Sequence, residues 1–150
     1  MLRNLLKNVR RPVIDFETFK KPRKPNVCVM APHGLCSFPP HIDSPAFNIS
    51  REELIQRFET IFFSLPNTEL LTERQCGPEG RDTQREYVHT SRLIGFPDTV
   101  TVRFMSIDEK TSTLAIISRS HYGYRDLGVN RGRVMYCMNK LVDATSNEEA

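Results

Sequence analysis

The sequence predicts an α+β domain in which a helix, a four-stranded antiparallel sheet and a second helix follow one another. Both helices are expected on one face, and an extended proline-rich arm precedes them. Three observations lead there. A capped apolar helical stripe begins at residue 50, four short strand-like runs follow between glycine, proline and acidic turns, and a second helical stripe comes near the end. Short turns make the strands antiparallel neighbours, and such a sheet covers one face with helices and leaves the other partly polar.

With 150 residues, 39% of them hydrophobic, the chain fits one domain able to form a core without disulfides or metals. No apolar run approaches the roughly 20 residues of a membrane-spanning helix. The net charge of +3 is unevenly divided. Residues 1–25 carry eight basic side chains against Asp15 and Glu17, a net of +6, while the other 125 residues carry 13 basic against 16 acidic ones, a net of −3. The basicity belongs to the N-terminal segment, so no nucleic-acid partner is expected.

In residues 1–14, Leu2, Leu5, Leu6, Val9 and Val13 recur at helical spacing, with Arg3, Lys7, Arg10 and Arg11 around the other side and no acidic residue before Asp15. This pattern is that of a mitochondrial targeting segment. The same amphipathicity also suits peripheral membrane contact through residues 1–14, in another organelle or at a cytoplasmic membrane surface, or docking on a partner. A solvated tail is the third reading. Residues 15–48 hold six of the ten prolines and are expected to wrap the domain as an irregular arm, since each proline removes a donor and restricts its predecessor.

Residues 49–143 form the expected domain. Ser50 and Glu53 make an S-x-x-E capping box, Ile49 can staple onto Leu54, and Leu54, Ile55, Phe58, Ile61, Phe62 and Leu65 line one face until Pro66. Strands are expected over residues 68–75, 84–93, 99–107 and 113–118. Alternation is clearest where Val100, Val102 and Phe104 oppose Thr101 and Arg103. Val134, Cys137, Met138 and Leu141 mark the second helix over 129–142, and residues 144–150 read as a polar tail.

Several groups are candidates for chemistry. Cys28, His33, Cys36 and His41 offer two thiols and two imidazoles, but their C-x4-H-x2-C-x4-H spacing lacks a C-x2-C knuckle, so unconnected thiols are expected rather than zinc or a Cys28–Cys36 disulfide. Cys76 and Cys137 have no visible activating partner. Tyr87, His89 and Ser91 alternate onto one strand face, which Arg103 and Arg119 could join, yet no nucleophile elbow surrounds Ser91. No phosphate-cradling glycine loop is present. At the strand-to-helix turn, Tyr124, Arg125, Asp126, Asn130, Arg131 and Arg133 form a candidate ligand set, because helix N-terminal amides and arginines together hold a carboxylate or phosphate. The competing reading, favoured by capping preference, is that Asp126 caps the helix and pairs with these arginines.

Tyr87-Val88-His89-Thr90-Ser91-Arg92, Phe96-Pro97-Asp98 and the run from Ser118 through Gly123-Tyr124-Arg125-Asp126-Leu127-Gly128-Val129-Asn130-Arg131 to Val134 resemble the family called domain of unknown function 1499. Pro25-Asn26-Val27-Cys28-Val29 is similar to its N-terminal Asn-Cys motif, and the resemblance spans residues 25–142. Ile117 and His121 stand where that pattern has arginines, with Arg119 between them, and Thr99 stands where it has a second aspartate. The resemblance implies bacterial and organellar relatives and brings no reaction or cofactor. The expected role is therefore a non-catalytic mitochondrial accessory or scaffold subunit binding other protein subunits of a larger assembly, membrane-bound assemblies included. The alternative is a small-anion binding domain or enzyme using the strand-to-helix turn.

Overall fold

A computed structural model describes residues 11–90, 96–121 and 126–149. Its elements are β1 (Val27–Ala31), β2 (Ile42–Asp43), α1 (Arg51–Phe62), β3 (Thr68–Cys76), β4 (Asp82–Thr90), β5 (Pro97–Ser106), β6 (Ser112–Ser120) and α2 (Val129–Glu149). The strands form one six-stranded sheet in the order β2-β1-β6-β5-β4-β3. The α+β class holds, but the expected four-stranded, wholly antiparallel sheet is corrected: β1 pairs antiparallel with β6 and parallel with β2, so the sheet is mixed. Both added strands come from the proline-rich arm. Pro25 and Pro32 lie outside β1 instead of interrupting it, so its five residues keep every ladder donor.

Side-chain alternation gives the sheet two different faces. Cys28, Met30, Tyr87, Val100, Val102, Phe104, Leu114 and Ile116 point towards both helices and form the main core with Leu54, Phe58 and Phe62 of α1 and Val134, Cys137, Met138 and Leu141 of α2. Phe58 sits at the centre, its ring 5.6 Å from both Tyr87 and Phe104 and 5.7 Å from Phe62. The Ser50 hydroxyl accepts the Glu53 amide at 3.2 Å and caps α1 where the sequence places its start, while the Glu53 carboxylate accepts from Arg57 at 2.7 Å. Arg57 donates to the Ala144 carbonyl at 2.8 Å and ties α1 to α2.

The second face carries a smaller core in which Ile14 and Phe16 of the arm pack on Val29, Ala31, Ala115 and Ile117. Much of the rest of this face is polar, and the arm docks there by specific bonds. Arg74 and Gln84 both donate to the Ile14 carbonyl at 2.8 Å, and Arg103 donates to Glu17 at 2.6 Å. Arg103 is also held by Asp82 through Nε at 3.0 Å and a terminal nitrogen at 2.7 Å. No helix among the described residues is long and apolar enough to cross a membrane.

Candidate functional site

Asn26, His89, Asp98, Ser118, Ser120, Asp126, Asn130 and Arg133, all from the motif runs, converge at one end of the sheet, on the helix-covered side. Arg133 lies on the inward stripe of α2, a turn before Cys137, and is 7% exposed. One terminal nitrogen donates to Ser118 Oγ at 2.9 Å and Asn130 Oδ1 at 2.8 Å; the other reaches Asp98 Oδ2 at 2.7 Å and His89 Nδ1 at 2.9 Å. Asn130, fully buried, accepts from Ser118 Oγ at 2.7 Å and shares its amide group among the Asn26 carbonyl, Ser120 Oγ and Asp126. The arm, three strand ends and the start of α2 are thereby fastened to two side chains of one helical turn.

Protonation follows from this packing. Burial, reinforced by the Arg133 charge, lowers the His89 pKa and keeps the ring neutral, with one edge accepting from Arg133 and a bond to the Pro66 backbone engaging the ring as well. Burial pushes the Asp126 carboxyl upward, but hydrogen bonds from the Asn130 and Gly128 amides outweigh it and leave the pKa lowered. A neutral histidine already bonded in this way has no free base to offer a substrate.

Of the six sequence candidates, Tyr124 and Arg125 lie outside the described residues. Asp126 caps the opening turn of α2 through the Gly128 and Asn130 amides, at 2.9 and 3.0 Å, and is met by Asn130 rather than by Arg131 or Arg133. Asn130 and Arg133 are consumed by the junction, and Arg131 is exposed. The structure thus brings together three of the six and adds Asn26, His89, Asp98, Ser118 and Ser120. Those five were legible as motif residues, and extending the stripe of Val134, Cys137 and Leu141 back by one turn places Asn130 and Arg133 inside.

Elsewhere the other candidate groupings separate. Cys28 faces the helices, whereas Cys36 packs in the arm-side core, and all four cysteines are free thiols. His41 Nδ1 accepts the Val29 amide at 2.8 Å and so braces β1. No group of three His, Cys, Asp or Glu side chains is placed to hold a metal among the described residues, Cys28 and His41 included. Burial raises the Cys28 and Cys137 thiols to about 11, the opposite of an activated nucleophile. Tyr87 and His89 share the helix-covered face, while Arg103 and Arg119 stand on the opposite one, as the pairs Tyr87↔Val100 and Thr99↔Arg119 require; Ser91 lies outside the described residues.

The fold and this junction define a mixed-sheet α+β domain whose motif residues form a buried polar lock. The chain belongs to the family described as "Protein of unknown function (DUF1499)", whose model matches residues 20–141. A search of curated proteins found no match.

Proposed function

We propose that the chain is a non-catalytic accessory or scaffold subunit of a mitochondrial protein assembly, and that the tip of the strand-to-helix turn is a contact point for another subunit. One observation carries this reading. Leu127, between the Asp126 cap and Gly128, is 96% exposed at a positive φ of 55°, and nearby Val129 is 52% exposed. An aliphatic side chain held in the left-handed region costs backbone energy that solvent does not return, and the polar lock beneath it fixes its position. Burial against a partner would offset that cost, since a Leu side chain removed from water contributes about 1.5–3 kcal/mol. The basic, acid-free residues 1–14 support delivery to the mitochondrion, and the same segment supports peripheral contact with an anionic membrane.

The test is native electrophoresis of mild-detergent extracts from cells carrying the tagged full chain at its normal level. The parent is expected to co-migrate with a species much larger than itself in the mitochondrial fraction. Leu127→Asp should release it as free chain with unchanged thermal stability. A parent found only as free monomer, or outside mitochondria, would contradict the proposal.

A further inference from the structure

We propose that the arm-covered face of the sheet carries a binding site for one small oxyanion, a phosphate group, built by Arg119, Arg11, Thr99 and Thr101 with His121 at its rim. The site lies on the opposite side of the sheet from the Arg133 junction. It is independent of the proposed subunit contact.

Register and burial bring these groups together. Thr99 pairs directly with Arg119 across β5 and β6, and Thr101 follows two residues later on the same face, opposite Glu86 of β4. Both threonines are essentially buried, at 0% and 1% exposed. Arg11 donates Nε to Thr99 Oγ1 at 2.9 Å, and His121 Nε2 hydrogen-bonds the same hydroxyl. Two guanidinium groups thus meet over a pair of hydroxyls, with Glu86 the acid that both arginines feel. His121 adds no charge at neutral pH, because burial, then Arg119 and Arg11, bring its pKa down to about 4.

The protein leaves part of this cluster unanswered. Arg119 Nε and Thr101 Oγ1 are buried and have no hydrogen-bond partner among the described residues. Buried donors are nearly always paired, and charged ones above all, so groups left open here point to a ligand that accepts from them. A phosphate oxygen accepts from guanidinium and hydroxyl groups alike. Arg103, on the same face, shows the contrasting solution, since Asp82 and Glu17 answer it within the chain. A cavity of about 80 Å³ between the arm and β3–β4, lined in part by Arg11 and Glu86, meets the cluster at its Arg11 edge without reaching Arg119 or the threonines, and is too small for a nucleotide.

Isothermal titration of the full chain with inorganic phosphate, phenyl phosphate and acetate tests the site. Phosphate should bind, phenyl phosphate more weakly because the arm covers the face, and acetate weakest. Arg119→Gln should weaken phosphate at least about tenfold, the loss expected for a charge-assisted hydrogen bond. Glu86→Gln removes the competing carboxylate and should tighten phosphate by a similar factor, so the proposal stays testable if the Arg119 variant folds poorly. Arg131→Gln, on the helix side, should leave binding unchanged. Absence of phosphate binding to the parent, or binding indifferent to both Arg119→Gln and Glu86→Gln, would overturn the assignment.

Discussion

Arg133 and Arg119 stand on opposite faces of one sheet, and their surroundings could hardly differ more. Arg133 is met by Asp98, His89, Ser118 and Asn130, so its charge is spent on joining elements. Arg119 has a buried Nε with no partner among the described residues and a second arginine nearby. A motif rich in arginines therefore does not announce a ligand site by itself. What matters is which guanidinium the fold has already satisfied, and here the satisfied one belongs to the motif-dense turn.

The largest expected effect separates the two directly. Arg133→Ala strands the part-buried Asp98 carboxylate and leaves Ser118 and Asn130 short of a donor, and should cost about 3 kcal/mol in urea unfolding, the low end for breaking one side of a buried ion pair. A loss below about 1 kcal/mol would place Arg133 outside the fold's support. Next comes Gly77→Ala, which probes the satisfied arginine of the arm face. A Cβ there would lie 2.3 Å from Asp82 Oδ2 and 2.8 Å from an Arg103 terminal nitrogen, at φ +76°. Steric conflict and backbone strain together should cost about 2–3 kcal/mol.

The pH dependence gives a smaller effect with a defined sign. His121 has a folded pKa of about 4 against an ordinary value of 6.5, and His89 is lowered too. Between these values the unfolded chain binds more protons, so stability falls as pH drops from about 6.5 towards 4. His121→Gln should flatten that slope, by on the order of 1 kcal/mol at pH 4.5 once solvent screening is allowed for. An unchanged slope of urea midpoint against pH would show that the ring is not buried neutral on the arginine face.

Arg119→Gln should change stability by less than about 1 kcal/mol in phosphate-free buffer, since it removes a half-buried charge that Glu86 offsets only in part and an Nε with no hydrogen-bond partner among the described residues. A cost matching that of Arg133→Ala would erase the contrast between the faces. Smallest is Leu127→Gly, expected to be neutral or stabilising by a few tenths of a kcal/mol because glycine accepts the left-handed backbone.

Much of the helix-covered face was legible in the sequence because its signals are local. The Ser50 cap sits beside the residues it caps, and the alternation of Val100, Val102 and Phe104 lies within one strand. β1 was hidden because it needs β6, some 90 residues away, to become a strand, and because Pro25 and Pro32 made its surroundings look irregular. β2, with two residues, is too short to carry any period. At the junction the Asp126 cap could be read from residue type. The inward turn of Arg133 could not be read from charge, which argues for solvent; only the position of the α2 stripe reveals it. The arm-face cluster had no local signal at all, since Arg11, Thr99 and Arg119 meet only through strand pairing and arm docking.

The central claim, that the motif residues of the turn form a self-satisfied lock, is tested most directly by a double-mutant cycle on Arg133→Met and Asp98→Asn with urea unfolding. The lock predicts single variants that each lose several kcal/mol and a coupling energy of about 2 kcal/mol or more, the double variant being much less damaged than the sum of the two. Additive losses, with coupling near zero, would show that Arg133 and Asp98 do not answer one another and would contradict it.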